Sequence, residues 1–385
     1  MRSKSIAAFF CLAVVHLFGE TPLPSSAQID LSVARAMEKT HARGLAIAVV
    51  SHGEVRSVSA HGVRNEKGEP LLTDTVMYGA SLTKAVLAYV SLQLVDQAKL
   101  QLDTPIAKYL SKPIYDYEYD RKYGDWRPLR DDPRWETITP RMVLTHSTGF
   151  ANFPWLEPDK KLHIHFTPGT RYAYSGQGII LLQYAIEKSL GLDVGDLSRR
   201  QFQRLGMTRT SLIWRPDFAL NSADGFDAEG KAIPHDQRSR VSAAGSMDTT
   251  IADFAKFAAA LVRGDGLSPA SRAELARAQL AITTAHQFPT FLPELPPKQR
   301  RKDFAAGLGV VVFDGPQGHG FYKGGHDDGT ANTMVCLDEG ERAVLILSND
   351  VRAEAAFPAL VKAVLGETGV PYDWEYGDAV AKSGN

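Results

Sequence analysis

Met77-Tyr-Gly-Ala-Ser81-Leu-Thr-Lys84-Ala-Val-Leu-Ala-Tyr-Val-Ser-Leu-Gln-Leu-Val95 is the stretch around which the chain is organised. From Ala85 to Val95 it is mostly apolar and rich in strong helix formers, the pattern of a buried helix. Gly79 and Ser81 precede that run, where a helix start is expected. Ser81 and Lys84 are three residues apart, so one helical turn puts both side chains on one face. A serine hydroxyl is a weak nucleophile until a neighbour takes its proton. A lysine at the end of an apolar helix suits that task, because burial disfavours its charged form. The competing reading is an ordinary helix-start serine with a surface lysine one turn on.

The 385 residues are 44% hydrophobic and 23% charged with a formal charge of −1. That is enough chain for a large core and two or three structural units. The charge balance points to neither nucleic acid nor an anionic membrane surface. Arg2 and Lys4 precede an apolar run from Ile6 to Phe18, followed by small residues through Ser25-Ser26-Ala27. This reads as a secretory leader over residues 1–27, cleaved near Ala27, with a periplasmic or extracellular destination and no stable membrane insertion. Cys11 leaves with the leader, so Cys336 is the one remaining thiol and no intramolecular disulfide is expected.

Ile29 to His41 alternates apolar and charged residues at helical spacing. Leu45–Val50 and Val55–Ala60 flank Ser51-His-Gly-Glu54 as a hairpin. Four more strand-like runs lie near the other end, at Gly309–Phe313, Gly320–Lys323, Ala331–Leu337 and Ala343–Leu347, before a helix-like stretch from Ala353 to Leu365. Short strands joined by tight turns predict an antiparallel sheet. The two chain ends, 28–80 and 290–385, would build this α/β sheet domain together, flanked by helices. Residues 81–289 would form a central helical domain, and a cleft between the two is a common place for a ligand. An insertion at 111–137 carries Tyr115-Asp-Tyr-Glu-Tyr-Asp-Arg-Lys-Tyr-Gly-Asp-Trp126 without clear periodicity. Either it packs on its own aromatics or it walls a binding site.

Three later stretches supply what a Ser–Lys pair needs. Thr167-Pro-Gly-Thr-Arg-Tyr-Ala-Tyr174-Ser-Gly176-Gln-Gly178 leads into the apolar run Ile179–Ile186 and presents Tyr174 near a helix start. Phe321-Tyr-Lys323-Gly324-Gly325-His326-Asp-Asp-Gly329 ends a strand in a turn, with glycines that allow close backbone approach. Ile138–Phe150 is a short helix running into the polar turn Thr145-His-Ser-Thr-Gly149. Together with Leu205-Gly-Met-Thr208 and Ala243-Ala-Gly-Ser-Met-Asp248, in this order, these resemble the serine β-lactamase and penicillin-binding protein superfamily, in particular class C β-lactamases and their esterase and D-peptidase relatives. Ser81-Leu-Thr-Lys84 matches its Ser-x-x-Lys motif. Tyr174-Ser-Gly176 stands where the branch has Tyr-x-Asn, and Lys323-Gly-Gly325 where it has Lys-Thr-Gly. The resemblance covers roughly residues 30 to 365.

The resemblance implies a β-lactamase-like α/β plus α fold and an acyl-enzyme reaction. Ser81 would attack an ester or amide carbonyl, with Lys84 and Tyr174 sharing proton transfer. The backbone N–H groups of Ser81 and His326 would form the oxyanion hole, and Lys323 would steer a substrate carboxylate or support the proton network. Gly176, Gly324 and Gly325 would line the substrate site. The departures matter: Gly176 replaces the branch's Asn and Gly324 its usual Thr or Ser. The preferred expectation is therefore a secreted esterase or peptide-like amidase. A true class C-like β-lactamase and a non-turnover penicillin-binding sensor are the alternatives. No metal or organic cofactor is expected: His326-Asp-Asp328 sits in a turn, His163-Ile-His165 lacks a third ligand, and His146 reads as structural. No serine has the Gly-x-Ser-x-Gly context of a Ser-His-Asp hydrolase.

Overall fold

The computed structural model describes residues 22–377. The apolar leader run and Cys11 lie outside them. Helix α1 (Ser26–Thr40) opens the described chain, with Ser25 and Gln28 forming a reciprocal capping box. A cut after Ala27 would remove that cap; a cut before Ser25 would keep it.

Strands β1 (Gly44–Ser51) and β2 (Glu54–Gly62) follow as a hairpin whose turn residues His52 and Gly53 both have positive φ, the turn geometry that matches strand twist. Strand β3 (Met77–Ala80) leads directly into helix α2 (Thr83–Asp96). The middle of the chain contributes helices α3 (Pro140–Leu144), α4 (Gly176–Ser189), α5 (Val194–Arg204), α6 (Ile251–Arg263) and α7 (Pro269–Ala276). Between them lie a small ribbon of β4 (Gly225–Phe226) and β5 (Ala232–Ile233), and strand β6 (Met247–Thr249). The C-terminal part supplies strands β7 (Leu280–Ala281), β8 (Phe304–Ala306), β9 (Val311–Gly315), β10 (Gly318–Asp327), β11 (Thr330–Leu337) and β12 (Arg342–Ser348), then helices α8 (Phe357–Leu365) and α9 (Tyr372–Tyr376).

The main sheet is antiparallel in the order β2-β1-β12-β11-β10-β9-β8-β7. Its first strands come from one end of the chain and the rest from the other. β1, β11 and β12 are buried on both faces, which is why they read as continuous apolar runs rather than alternating ones. One face of the sheet packs on α1 and α8; the other packs on α6, in a core shared with α2 and α4. The last two strands in that order, β8 and the edge strand β7, were not expected from the sequence, being too short for a periodic signal.

The insertion folds as short 3-10 turns packed on α4. Tyr117, Tyr123 and Trp126 surround Tyr184, with ring centroids 5.5, 4.9 and 5.8 Å away, and Tyr115 packs edge-on against Trp135. The tip is different: Arg121 and Lys122 line the cleft that holds Ser81. Both readings of the segment therefore apply, to different residues.

Candidate active site

Ser81 lies in the turn between β3 and α2, just after Ala80, whose φ is +46°. A left-handed alanine is strained, and such strain persists only where surrounding contacts impose it. Here β3 pairs with β6. Tyr78 donates from its hydroxyl to the Gly245 carbonyl at 2.6 Å, and Thr83 bridges the Ala80 carbonyl and the Met247 amide. The Ala243–Asp248 stretch thus clasps the turn. On the other side β10 comes so close that a Cβ on Gly325 would lie 2.9 Å from the Gly79 carbonyl oxygen. Gly325 is required for that approach. Among the described residues no hydrogen bond uses the Ser81 amide.

Lys84 is 1% exposed. Its Nζ lies 2.9 Å from Ser81 Oγ and also donates to the Ala244 carbonyl. Burial, reinforced by repulsion from Lys323, holds its pKa well below that of an ordinary lysine. Tyr174 stands at the start of α4, its ring 5.0 Å from Lys84 Nζ and 5.2 Å from Lys323 Nζ. Burial pushes its phenol up, with the Ser81 hydroxyl drawing it back. The structure thus brings together, at one serine, an amine whose charged form is disfavoured and a phenol whose ionised form is disfavoured.

His146 fixes the Tyr174 ring from behind, with ring centroids 4.4 Å apart. Its Nδ1 accepts the Ser175 amide at 3.1 Å, and burial followed by repulsion from Lys84 and Lys323 keeps it neutral. Ser175 caps α4 through the Gly178 amide and donates to the Ala151 carbonyl. His163 and His165 pair with Asp159 and Glu157 instead of converging.

Two cavities flank Ser81. One, of about 780 Å³, is lined by Tyr78, Arg121, Lys122, Arg238 and Arg240 among others; the other, of about 380 Å³, by Tyr174, Phe288, Lys323, Gly324, Glu354 and Glu375. Asn152 and His326 line both. A separate hollow of about 700 Å³ beneath α6 and α7 lies away from this chemistry.

A family model described as Beta-lactamase matches residues 29–366. The chain belongs to the β-lactamase family. Its curated relatives include an esterase and a penicillin-binding protein. An unguisins hydrolase of Aspergillus campestris is 27% identical over 278 residues, 67% of this chain and 51% of the relative. Esterase EstB of Burkholderia gladioli is 28% identical over 127 residues, 33% and 29% of the two chains. This chain spans about half the length of the first curated relatives it matches. A β-lactamase/D-alanine carboxypeptidase structure from Pseudomonas syringae superposes with a TM-score of 0.69 at 16% identity, covering 88% of this chain and 98% of that one; at that identity the likeness speaks for the fold.

The departures in this β-lactamase-family chain have structural counterparts. A Cβ on Gly176 would lie 2.4 Å from Phe153 Cζ and 3.1 Å from Asn152 Oδ1. The place of the branch's Asn is therefore filled from the loop after α3, and a Gly176→Asn side chain fits only if Phe153 moves. Asn152 accepts the Gly176 amide at 2.8 Å through Oδ1, which leaves its Nδ2 as the free donor end. Asn152, Phe153, Glu354 and Glu375 escaped the sequence reading, because nothing in their local pattern separates them from ordinary loop and helix residues.

Proposed function

We propose that this serine hydrolase is secreted and cleaves neutral esters through an acyl-enzyme on Ser81. The observation that carries this is the Ser81–Lys84 contact of 2.9 Å with Lys84 buried and its ammonium disfavoured. A neutral amine at that distance takes the hydroxyl proton as Ser81 Oγ attacks the carbonyl carbon. The amides of Ser81 and His326 receive the developing oxyanion, a contact worth about 3–4 kcal/mol per donor in such sites. Tyr174, held protonated, gives its proton to the departing oxygen and regains one from Lys84. Water then enters, loses its proton to the same network, and releases the acid and free Ser81. Relatives named as esterases, EstB and a lovastatin esterase of Penicillium rubens, support the ester preference. The basic apolar leader supports export.

Glycine at 176 offers no side-chain amide of its own to a substrate carbonyl, and Asn152 beside it is anchored through Oδ1 to the Gly176 amide. A hydrogen bond of that kind contributes roughly 0.5–1.5 kcal/mol, a factor of about two to ten. Specificity constants for p-nitrophenyl butyrate and nitrocefin test the reading. The ester is expected to be turned over faster; faster nitrocefin turnover would favour a true β-lactamase, and acylation without release would favour a sensor.

A further inference from the structure

Glu375 enters the Ser81 cleft from α9, far along the chain from every motif. A Cβ on Gly324 would lie 2.0 Å from Glu375 Oε1. Gly324 and Glu375 thus share one space: a side chain at 324 would displace the carboxylate, and its absence admits it. Glu375 lines the same cavity as Ser81, Tyr174 and Lys323, and among the described residues its Oε2 is buried without a hydrogen-bond partner at bonding distance, the Tyr376 hydroxyl lying near enough to draw its pKa down. Burial pushes this carboxyl up and Lys323 pulls it back; burial pushes the Lys323 ammonium down and Glu375 holds it up. With Lys323 as an ammonium and Glu375 as a carboxylate, the two charges cancel. The remaining neighbours do not reverse this. Glu354 binds His326 through Nδ1 and holds that imidazole towards its charged form, so the added anion and cation face each other, and Tyr322, Tyr372 and Tyr376 are held protonated by burial.

We propose that Glu375 is a specificity-determining residue that cancels the positive charge of Lys323, so that the site accepts neutral substrates or hydrogen-bond donors beside Ser81 and rejects those carrying a carboxylate there. This rests on the ester-hydrolase reading and deepens it. It also replaces the sequence-based expectation that Lys323 steers a substrate carboxylate, because the protein supplies that carboxylate itself. A second anion beside the ionised Glu375 carboxylate would meet like charge in a poorly screened pocket, where such juxtaposition is costly. The unpartnered Oε2 would instead reward a hydroxyl or amide N–H.

The test compares kcat/KM for two ester pairs matched except for charge: 3-carboxyphenyl against 3-carbamoylphenyl butyrate, and p-nitrophenyl hemiglutarate against p-nitrophenyl valerate. The wild type is expected to disfavour the anionic member by about tenfold or more in at least one pair. Glu375→Gln is expected to raise the anionic-to-neutral ratio of that pair by about tenfold, and Glu375→Met, of similar length, to move it in the same direction. A merely structural role would lower both members together and leave the ratio fixed. If the wild type hydrolyses both members of each pair and neither variant shifts a ratio, the proposal is wrong while the ester reading stands. If the wild type hydrolyses none of the four esters, the two fall together.

Discussion

Replacing Lys84 with alanine is expected to lower kcat for p-nitrophenyl butyrate by about 10²–10⁴-fold with the fold retained, the range typical of a lost general base. The amine is buried and sits 2.9 Å from Ser81 Oγ. The pH profile carries the same information. In the wild type, kcat/KM should rise with pH as the ammonium loses its proton. It should be lost as pH falls through a value well below the ordinary lysine range, in the direction that burial and Lys323 impose. Lys84→Ala should remove that acidic limb along with the rate. Tyr174→Phe should give a loss of similar order, because the protonated phenol is the donor to the leaving oxygen. The double variant should be little worse than either single one, as expected of residues acting as a unit. Multiplying defects would mean the two act independently.

Trp126→Ala is expected to cost about 3–5 kcal/mol of stability, the usual range for a buried tryptophan, while leaving the ester-to-nitrocefin preference unchanged. Trp126 is 5% exposed and packs 5.8 Å from the Tyr184 ring that also receives Tyr117 and Tyr123. The insertion therefore anchors itself on α4 through its aromatics. Tyr119 is 60% exposed, so Tyr119→Ala should stay within about 0.5 kcal/mol of the wild type. Denaturant melts of both variants, with parallel assays on the two substrates, check this. A shift in preference with unchanged stability would show that the aromatics, and not the Arg121–Lys122 tip, form the cleft wall.

The sheet was legible because β1, β11 and β12 are buried on both faces and read as apolar runs, and because turns such as His52-Gly53 carry their own residue signature. The Ser81–Lys84 pair was legible for a similar reason: three-residue spacing at the mouth of an apolar helix leaves little choice of geometry. What stayed hidden depends on tertiary contact. Gly176 and Gly324 showed as missing side chains, but the sequence gives no hint that Phe153 with Asn152 and Glu375 occupy those spaces from distant segments. The ownership of protons was equally hidden. Burial of Lys84 and Tyr174, with repulsion of Lys84 by Lys323, disfavours the ammonium and the phenolate alike, and none of these is a property of local sequence.

The central claim is that one serine becomes covalently acylated. Intact-mass measurement with a fluorophosphonate, followed by peptide mapping, tests it on the wild type and on Ser81→Ala. The wild type should gain a single mass equivalent on the peptide containing Ser81, and Ser81→Ala should gain none. Labelling that persists in Ser81→Ala, or that maps to Ser175 in the wild type, would contradict the account.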